Sequence, residues 1–594
     1  MADIGDLNRY FAQPGDAINE SERVPLPTPQ NAVDYLIDGA NYFGRIADDI
    51  EDLLRPTPAG TDAETNKFFY FTNWWLGLTQ IDYLIRAQTA PPPAPIDSPL
   101  IFSMHPFQLR EPSLTEERAD RTDRPFIEKL VQMAEPLQAI DVRAFPWISA
   151  PLIMTPDVLG ELVKNTIRAN NIHTLRSVDA LRRIPGMEAK VAINMLAHPM
   201  AGMHLKMVVL GSNRKIIAYV GGMDFVNDRL TDQNHIRTRW HDVGVRIAGP
   251  AAIELYDYFR SLWNEQIFRE PWRIRVGGVD RPILTHVRGH RDPTKNTPIV
   301  PEYSGHFPAG IDPSRTKYVQ ILRTLPRMTF GSEGRPGAGL AQTFGFCVVH
   351  SFQPPPLSFA TSGSFSFLTA IRKAIAQARK YIYMEDQSFW SLDIMRFLVQ
   401  RLNEPDPPKV IFVHGPDPAD GVQATDAAML YPKVALHFLF SNIPPSLRNN
   451  IAFYERGGRT IHSKLRIIDD VWVAVGSTNS TRRSLYADGE VSVAIIDEAA
   501  AEGYSLAMGF AQDLRVALWS EHCGHSEPIS ALVPIDDALG IWDTDWGLPG
   551  PSGVNLVTAD ILGGGGFRRV TIADPVTFDP VAYDQTDPDT RQVF

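Results

Sequence analysis

The stretch that decides the fold is His462-Ser463-Lys464-Leu465-Arg466-Ile467-Ile468-Asp469, which continues through a second apolar strand to Gly476-Ser477-Thr478-Asn479. An earlier counterpart begins at His204-Leu205-Lys206 and leads to Gly221-Gly222-Met223-Asp224. Of the fifteen histidines in the chain, only these two are followed by x-Lys. One His-x-Lys is a weak signal, because alternate residues of any strand share a face. Two copies at matching places indicate a repeated functional unit.

The features around the two motifs recur in the same order. Apolar residues at helical spacing over 33–54 precede an apolar strand at 68–71, and the same pair occurs at 367–379 and 381–384. After each motif an acid, Asp242 or Glu490, begins a further strand, and a helix follows. Helices that alternate with strands predict an α/β fold. We therefore expect two similar halves, each a mixed β-sheet flanked by helices.

The spacing of these features predicts four segments. The N-terminal half spans 31–270, with an insertion at about 85–195 that begins with a proline run. A connector interrupted by Pro and Gly covers 271–315, the C-terminal half spans 316–525, and a tail rich in Asp, Pro and Gly covers 526–594.

Composition narrows the class of protein. The chain has 594 residues, 44% of them hydrophobic, and a formal net charge of −12. The acidic balance argues against nucleic acid as the main partner, for which a basic surface is expected. Two cysteines make no disulfide framework, and the N-terminus lacks the basic and apolar regions of a secretory signal. No apolar run reaches the length of a transmembrane helix, so we expect a cytoplasmic or peripheral membrane location, with non-classical export left open.

The two motifs suit phosphodiester cleavage if their strands meet at one pocket. Lys206 and Lys464 would supply positive charge to a phosphoryl transition state, so no metal or other cofactor is expected. One imidazole would attack phosphorus and the other would protonate the leaving oxygen. Asn479 could donate its amide hydrogens to a phosphoryl oxygen. Asp242 and Glu490 are the best candidates to orient the histidines.

These residues resemble the phospholipase D superfamily, whose signature is His-x-Lys-x(4)-Asp followed by Gly-Ser/Gly-x-Asn. The second half matches the signature fully, including Asp469 and Ser477. The first half departs from it, because Gly211 stands where the motif has Asp, Asp224 stands where it has Asn, and the turn is three residues longer. In the family the motif Asp is usually structural, so we expect Asp469 to hold a turn and Gly211-Ser212-Asn213-Arg214-Lys215 to form its own hydrogen bonds.

Three further segments are similar to phospholipase D proper: Trp240-His241-Asp242-Val243, the strand that ends Glu385-Asp386-Gln387, and Leu514-Arg515 through Trp519-Ser520-Glu521-His522. Glu385 and Gln387 are therefore supporting candidates. The resemblance implies two phospholipase D-like halves packed as a pseudo-dimer with one shared active site. By the same analogy His204 is the nucleophile and His462 the general acid, although the residues alone do not separate the two histidines.

The implied activity is hydrolysis of glycerophospholipids to phosphatidic acid and a free headgroup through a phosphohistidine intermediate, with transfer of the phosphatidyl group to alcohols. The substrate would lie at a membrane or micelle surface and the enzyme would be a monomer without a nucleic-acid partner. The alternative is a superfamily nuclease. A degenerate scaffold is disfavoured because both His and both Lys are present, and a cardiolipin synthase is disfavoured by the missing membrane helices.

Overall fold

The structure is a computed structural model of the chain. It describes residues 7–16, 23–56, 63–77, 132–133, 138–148, 174, 177–178, 181–182, 184–197, 202–226, 229, 231, 235, 240–268, 273–276, 279–282, 296–299, 302–305, 316–326, 357–389, 391–414, 435–436, 438–456, 460–501, 509–522, 535–536, 539 and 567–569. Much of the predicted insertion, connector and tail lies outside these residues.

Among the described residues, the N-terminal part contributes nine strands and two α-helices. The strands are β1 (Thr28–Ile37), β2 (Phe68–Thr72), β3 (Asp141–Ala144), β4 (Met207–Gly211), β5 (Ile216–Gly221), β6 (Trp240–His241), β7 (Val243–Ala248), β8 (Arg273–Val276) and β9 (Val279–Pro282). The helices are α1 (Asp38–Leu54) and α2 (Pro250–Phe268). Two short 3-10 helices, Leu7–Arg9 and Pro14–Asp16, precede them.

In the part of the chain that the structure describes, the C-terminal side contributes nine strands and five α-helices. The strands are β10 (Lys317–Thr324), β11 (Tyr381–Asp386), β12 (Lys409–His414), β13 (Ile451–Arg456), β14 (Thr460–Ile461), β15 (Lys464–Ile468), β16 (Trp472–Gly476), β17 (Glu490–Asp497) and β18 (Phe567–Arg569). The helices are α3 (Ser366–Gln377), α4 (Leu392–Leu402), α5 (Arg482–Tyr486), α6 (Glu498–Ala501) and α7 (Phe510–His522), with a 3-10 helix at Pro445–Asn450.

Fourteen of these strands form one mixed sheet, in the order β18-β13-β12-β11-β15-β16-β17-β10-β1-β7-β5-β4-β2-β3. The N-terminal strands lie on one side of the β1–β10 pair and the C-terminal strands on the other. Outward from that pair, β7-β5-β4-β2-β3 repeats the order of β17-β16-β15-β11-β12. In both sets the last pair is parallel and the others are antiparallel. The repeat predicted from the sequence is thus present in the strand order.

The first predicted helix is shorter than its spacing suggested. Residues 33–37 belong to β1, where Ala32 to Ile37 pair with β7, and the helix begins at Asp38. Val33, Leu36 and Ile37 fit a strand as well as a helix, so periodicity alone could not separate the two. The ladder with β7 decides for the strand, and the positive φ of 64° at Asp38 turns the chain into α1.

Three apolar clusters cover the sheet. The largest contains residues of both parts of the chain, among them Leu262 and Trp263 of α2 and Leu518 and Trp519 of α7. A second cluster packs α1 on the N-terminal strands, and a third packs α3 and α4 on the C-terminal strands. The result is an α/β architecture with helices on both faces of the sheet. No helix among the described residues has the length and apolar character needed to cross a bilayer.

The turns after the two motifs are built differently. The Asp469 carboxylate accepts hydrogen bonds from the backbone N–H groups of Arg379, Lys380 and Tyr381 at 2.6–2.8 Å. It therefore anchors the start of β11, at the end of β15 opposite Lys464.

The longer first turn forms the predicted hydrogen bonds of its own. Asn213 Oδ1 accepts from Thr65 N at 2.8 Å, and Ser212 Oγ donates to Glu64 at 2.6 Å. A Cβ on Gly211 would meet the carbonyl oxygen of Lys215 and the ring of Phe68. Asn213 thus fixes the segment before β2 as Asp469 fixes the segment before β11, and Gly211 has no room for a side chain.

These contacts predict opposite outcomes for two substitutions. Asp469→Ala should lower the stability by about 2–3 kcal/mol, because three backbone N–H groups lose a charged acceptor. Gly211→Asp should destabilise by roughly 1–3 kcal/mol through crowding, with no gain in rate. Melting temperature and initial rate for each variant check both. A large rate gain in Gly211→Asp would show that the first motif is defective rather than differently built.

Candidate active site

Both His-x-Lys motifs lie at the ends of central strands. His204 and Lys206 immediately precede β4, while His462 precedes β15 and Lys464 is its first residue. Because β4 and β15 occupy equivalent places on either side of the β1–β10 pair, the two motifs are related by the repeat. The side chain of His204 is 14% exposed and that of His462 is 7% exposed. His204 is therefore the more accessible imidazole.

His204 is held by residues of the C-terminal part. Its Nδ1 lies 3.0 Å from the carbonyl oxygen of Ser477 and 3.1 Å from both carboxylate oxygens of Glu490. A carbonyl oxygen can only accept, so Nδ1 carries the proton and the lone pair of the neutral ring is on Nε2. The Ser477 hydroxyl donates to the same carboxylate and keeps Glu490 in place.

His462 is held by the N-terminal part in the same manner. Its Nδ1 lies 2.7 Å from Oδ2 of Asp242. The carboxylate reaches this position because Gly222, the counterpart of Ser477, has no side chain, and a Cβ there would collide with both oxygens of Asp242. Each predicted orienting acid therefore holds the histidine of the other motif rather than its own.

The backbone repeats this crossing. The His462 N–H donates to the carbonyl oxygen of His241 at 2.8 Å, and the short strands β14 and β6 pair in parallel. At the equivalent place the Gly489 N–H donates to the carbonyl oxygen of Gly202 at 2.7 Å. The residue before each acid is thus bonded to the segment of the opposite motif, which positions acid and imidazole together.

The two lysines are fully buried. Lys206 Nζ lies 3.5 Å from Asp224 Oδ2 and 5.6 Å from the ring centroid of Trp74. Lys464 Nζ donates to the carbonyl oxygen of its own His462. Burial lowers the pKa of both lysines, and that of Lys464 falls to about 8. A negatively charged ligand would favour their charged forms.

Asp224 has a clear structural role. Its Oδ1 accepts from the backbone N–H groups of Trp74 and Trp75 at 3.0 Å, which fastens the segment after β2 beside Lys206. In the C-terminal part Asp386, at the end of β11, makes the equivalent connection. It accepts hydrogen bonds from Ser480 N at 2.7 Å and from the side chain of Arg466.

The sheet register shows that carboxylate and amide have exchanged places. Asp386 lies opposite Lys464 where β11 pairs with β15, and Thr72 lies opposite Met207 where β2 pairs with β4. Asn73, the residue after Thr72, is therefore the counterpart of Asp386. Asp224 is in turn the counterpart of Asn479. Each motif thus has one Asp and one Asn in mirrored positions. The Oδ1 atoms of Asn73 and Asn479 are buried without a hydrogen-bond partner among the described residues. Asp224 in place of the motif Asn is therefore compensated by Asn73.

Burial also determines the charge of the imidazoles. Burial and the nearby ammonium groups of Lys206 and Lys464 lower the pKa of His204 and His462 well below the usual range. Burial raises the pKa of Glu490 well above its usual range and that of Asp242 to about 7. Without a ligand, the site favours neutral imidazoles, as a nucleophile requires.

Not every predicted residue lies near these histidines. Glu385 accepts from the hydroxyl groups of Tyr383 and Ser463, each at 3.0 Å, and lies within ion-pair distance of His522. It supports the second motif through its contact with Ser463, the residue between His462 and Lys464. Gln387 is half-buried directly after β11.

Sequence reasoning missed Arg229. Its guanidinium carbon lies 3.3 Å from the ring centroid of Trp240, and its charge helps to lower the pKa of His462. A cation in a segment without periodicity has no local signal that could have revealed it. Asp386 was also missed as a site residue, although it lay inside a quoted motif.

Comparisons with known proteins found a family model and several curated relatives. The family model described as "Cardiolipin synthase, PLD-like domain" matches residues 371–508. Phospholipase D alpha 2 of Oryza sativa subsp. japonica is 23% identical over 414 residues, covering 53% of this chain and 46% of that protein. Phospholipase D zeta 2 of Arabidopsis thaliana is 41% identical over 87 residues, 13% of this chain and 8% of that protein. The chain spans about half the length of the phospholipase D alpha relatives it matches.

Two solved structures were also matched. Phosphatidylserine synthase of Haemophilus influenzae Rd KW20 has a TM-score of 0.45 at 12% identity, covering 81% of this chain and 86% of its own. Nuc of Salmonella typhimurium, a phospholipase D family member, has a TM-score of 0.18 at 24% identity, covering 23% of this chain and 82% of its own. The family model over residues 371–508 and the curated relatives, taken with the two motifs, support the phospholipase D superfamily as the one that this chain resembles.

Proposed function

We propose that the chain is a phospholipase D-type phosphodiesterase that converts glycerophospholipids to phosphatidic acid and a free headgroup at one site shared by both halves. The observation that carries the proposal is the crossed pairing, in which Glu490 holds His204 and Asp242 holds His462. Two oriented imidazoles beside two buried ammonium groups make a site for a negatively charged phosphodiester. Since both motifs come from one chain, the proposed enzyme acts as a monomer.

In the first step, Nε2 of His204 attacks phosphorus and the bond from phosphorus to the headgroup oxygen breaks. His462 transfers the proton on its Nε2 to that oxygen, so that the headgroup leaves as an alcohol rather than an alkoxide. His462 must be protonated at this moment. The negative charge of the bound phosphodiester raises its pKa, which the empty site holds low. The greater exposure of His204 supports its assignment as the nucleophile.

In the second step, water attacks phosphorus and the phosphorus–Nε2 bond of His204 breaks. His462, now neutral, accepts the proton of the water, and phosphatidic acid is released. Glu490 and Asp242 fix the tautomer of each ring throughout, because their carboxylates lie on the Nδ1 atoms. Lys206 and Lys464 stabilise the charge on the phosphoryl oxygens, and the half-buried Asn479 can donate to the same oxygens.

An alcohol should compete with water in the second step. Incubation with phosphatidylcholine and ethanol is expected to yield phosphatidylethanol beside phosphatidic acid, because a covalent phosphatidyl-His204 reacts with any small alcohol that reaches it. Mass spectrometry of the lipid products measures the ratio. Hydrolysis without any ethyl ester would contradict the covalent intermediate.

The same assay decides between lipid and nucleic acid as substrate. Single-stranded and double-stranded DNA and RNA are incubated in parallel under the same conditions, and the products are identified by mass. A His204→Ala variant is the control for contaminating enzymes. Cleavage of nucleic acid with no phosphatidic acid formed would overturn the proposed substrate and favour the nuclease alternative.

The buried lysine predicts a pH dependence. Because the pKa of Lys464 is lowered to about 8, its ammonium is lost as the pH rises through that value, and kcat/KM should fall above it. A soluble p-nitrophenyl phosphodiester is the proper substrate, because its leaving group needs no protonation. The fall in kcat/KM then reports the loss of the positive charge that binds the phosphodiester. Lys464→Arg, if active, should shift the fall to higher pH. A profile that stays flat to about pH 10 would contradict this role.

A further inference from the structure

A second cluster of titratable groups lies behind the candidate active site. His235 and His241 of the N-terminal part face two carboxylates, Asp38 at the start of α1 and Glu521 in α7. All four side chains are buried. Asp38, His235 and His241 come from the N-terminal part and Glu521 from the C-terminal part, so the cluster joins the two.

One possible ligand atom of each of the four groups lies within 4.8 Å of those of the others. His235 Nε2 lies 3.4 Å from Asp38 Oδ2 and 3.0 Å from Glu521 Oε1. His241 Nδ1 lies 3.2 Å from Asp38 Oδ1 and 3.1 Å from the same Glu521 oxygen. Ligands at the corners of a zinc tetrahedron are about 3.3–3.4 Å apart, since Zn–N and Zn–O bonds measure roughly 2.0–2.1 Å. The four nitrogen–oxygen separations, which involve both oxygens of Asp38, are within a few tenths of an ångström of that spacing.

The orientation of both imidazoles is that of metal ligands. His235 Nδ1 lies 2.8 Å from the carbonyl oxygen of Trp240, which can only accept, so Nδ1 carries a proton. Nε2 is hydrogen-bonded to Glu521 Oε1 at 3.0 Å, and a metal ion would take the place of the proton between them. His241 Nε2 faces Glu385 at 3.4 Å, which leaves Nδ1 toward the cluster. Imidazole ligands of metals commonly donate their other N–H to a backbone carbonyl or a carboxylate in this way.

The ring of His241 lies between carboxylates, with Asp38 and Glu521 on the side of Nδ1 and Glu385 on the side of Nε2. Neither ring nitrogen has a hydrogen-bond partner among the described residues, although Nδ1 has two carboxylate oxygens within 3.2 Å. The nitrogen is therefore aimed between the two oxygens rather than at either one. Asp38 Oδ2, also buried, has no hydrogen-bond partner either.

We propose that Asp38, His235, His241 and Glu521 form a structural site for a divalent transition-metal ion, with zinc the best fit to two imidazole and two carboxylate ligands. Two carboxylates and two neutral imidazoles carry a charge of −2, which one divalent ion neutralises in a buried place where unbalanced charge is costly. Four protein ligands close the coordination shell, as in structural rather than catalytic zinc sites.

The ion would act on the active site only through the backbone. His241 directly precedes Asp242, the Asp38 N–H donates to the Asp242 carbonyl oxygen at 2.8 Å, and the His241 carbonyl accepts from His462 N. A metal on Asp38 and His241 thus fixes the segment that presents Asp242 to His462. The proposed phosphoryl steps place no ion at the reacting phosphorus, so the metal site can be tested separately from the reaction.

A neighbouring group, His241, Glu385 and His522, could also be considered for a metal ion. His522 Nε2 lies 3.1 Å from the Tyr383 hydroxyl, which would compete with a metal ion for this nitrogen, and within ion-pair distance of Glu385. The group also has three ligands rather than four. His522 therefore provides a matched control, because it is a buried histidine beside the proposed site and not in it.

Metal content of the tag-free full chain tests the proposal. Elemental analysis by plasma mass spectrometry should find about one zinc per chain, and prolonged dialysis against dipicolinate should remove it and lower the melting temperature by several degrees. Added Zn²⁺ should restore both, and Co²⁺ in its place should show the strong visible bands of a tetrahedral ion. These readouts require no variant and no activity.

Variants then locate the ion. His235→Gln should lose the metal, whereas His522→Gln should keep it. Loss in His522→Gln with retention in His235→Gln would place the ion in the neighbouring group and overturn the assignment. A wild-type chain that holds no transition metal and whose melting temperature is unchanged by Zn²⁺ or chelator would overturn the proposal outright, and the cluster would then be a network of protonated histidines and carboxylates.

Discussion

His204→Ala and His462→Ala are each expected to lower kcat by a factor on the order of 10⁴ or more, because nucleophile and general acid act as one unit. The double variant should be little slower than either single one for the same reason. Initial rates on a phospholipid in mixed micelles measure the effect, and circular dichroism with melting temperature confirms that each variant is folded. A single variant that keeps more than about a tenth of the rate would defeat the shared site.

The leaving group separates the two roles. With a p-nitrophenyl phosphodiester the departing oxygen needs no proton, so the first step no longer depends on the general acid. We expect His462→Ala to release a stoichiometric burst of p-nitrophenolate, while His204→Ala remains inactive on both substrates. The opposite pattern would show that His462 is the nucleophile and would reverse the assignment without removing the two-histidine mechanism.

Asp242→Asn and Glu490→Gln are expected to lower turnover by roughly 10²–10⁴-fold, the range found when the acid that orients a catalytic imidazole is replaced by its amide. Each substitution keeps the shape of the side chain but offers an N–H donor where Nδ1–H needs an acceptor. The ring then loses the correct tautomer. Melting temperatures should change little in comparison, because the volume in the buried site is preserved.

The crossed pairing makes a sharper prediction. Since Asp242 holds His462, Asp242→Asn should behave like His462→Ala and also release a burst of p-nitrophenolate from the p-nitrophenyl phosphodiester. Since Glu490 holds His204, Glu490→Gln should remain slow on both substrates. If the effects were exchanged, each acid would serve the histidine of its own motif and the crossing seen in the structure would have no role in the reaction.

Part of this protein is determined by the sequence alone. Two His-x-Lys motifs in a repeated unit indicate the fold class, the superfamily and the likeness of the two parts, because strand periodicity, motif spacing and element order are local properties of the chain. The sequence also singled out Asp242 and Glu490, each of which follows its motif at the start of a later strand segment.

Only the tertiary structure decided which acid serves which histidine. The pairing depends on contacts between residues more than 200 positions apart, and no periodicity encodes such contacts. The same holds for the exchange of Asp and Asn between the two motifs, which is visible only in the register of β2 with β4 and of β11 with β15. The start of α1 at Asp38 was likewise decided by pairing with β7. Burial within the folded chain, finally, sets the pKa of Lys464 and of both histidines, because desolvation exists only once distant segments have packed together.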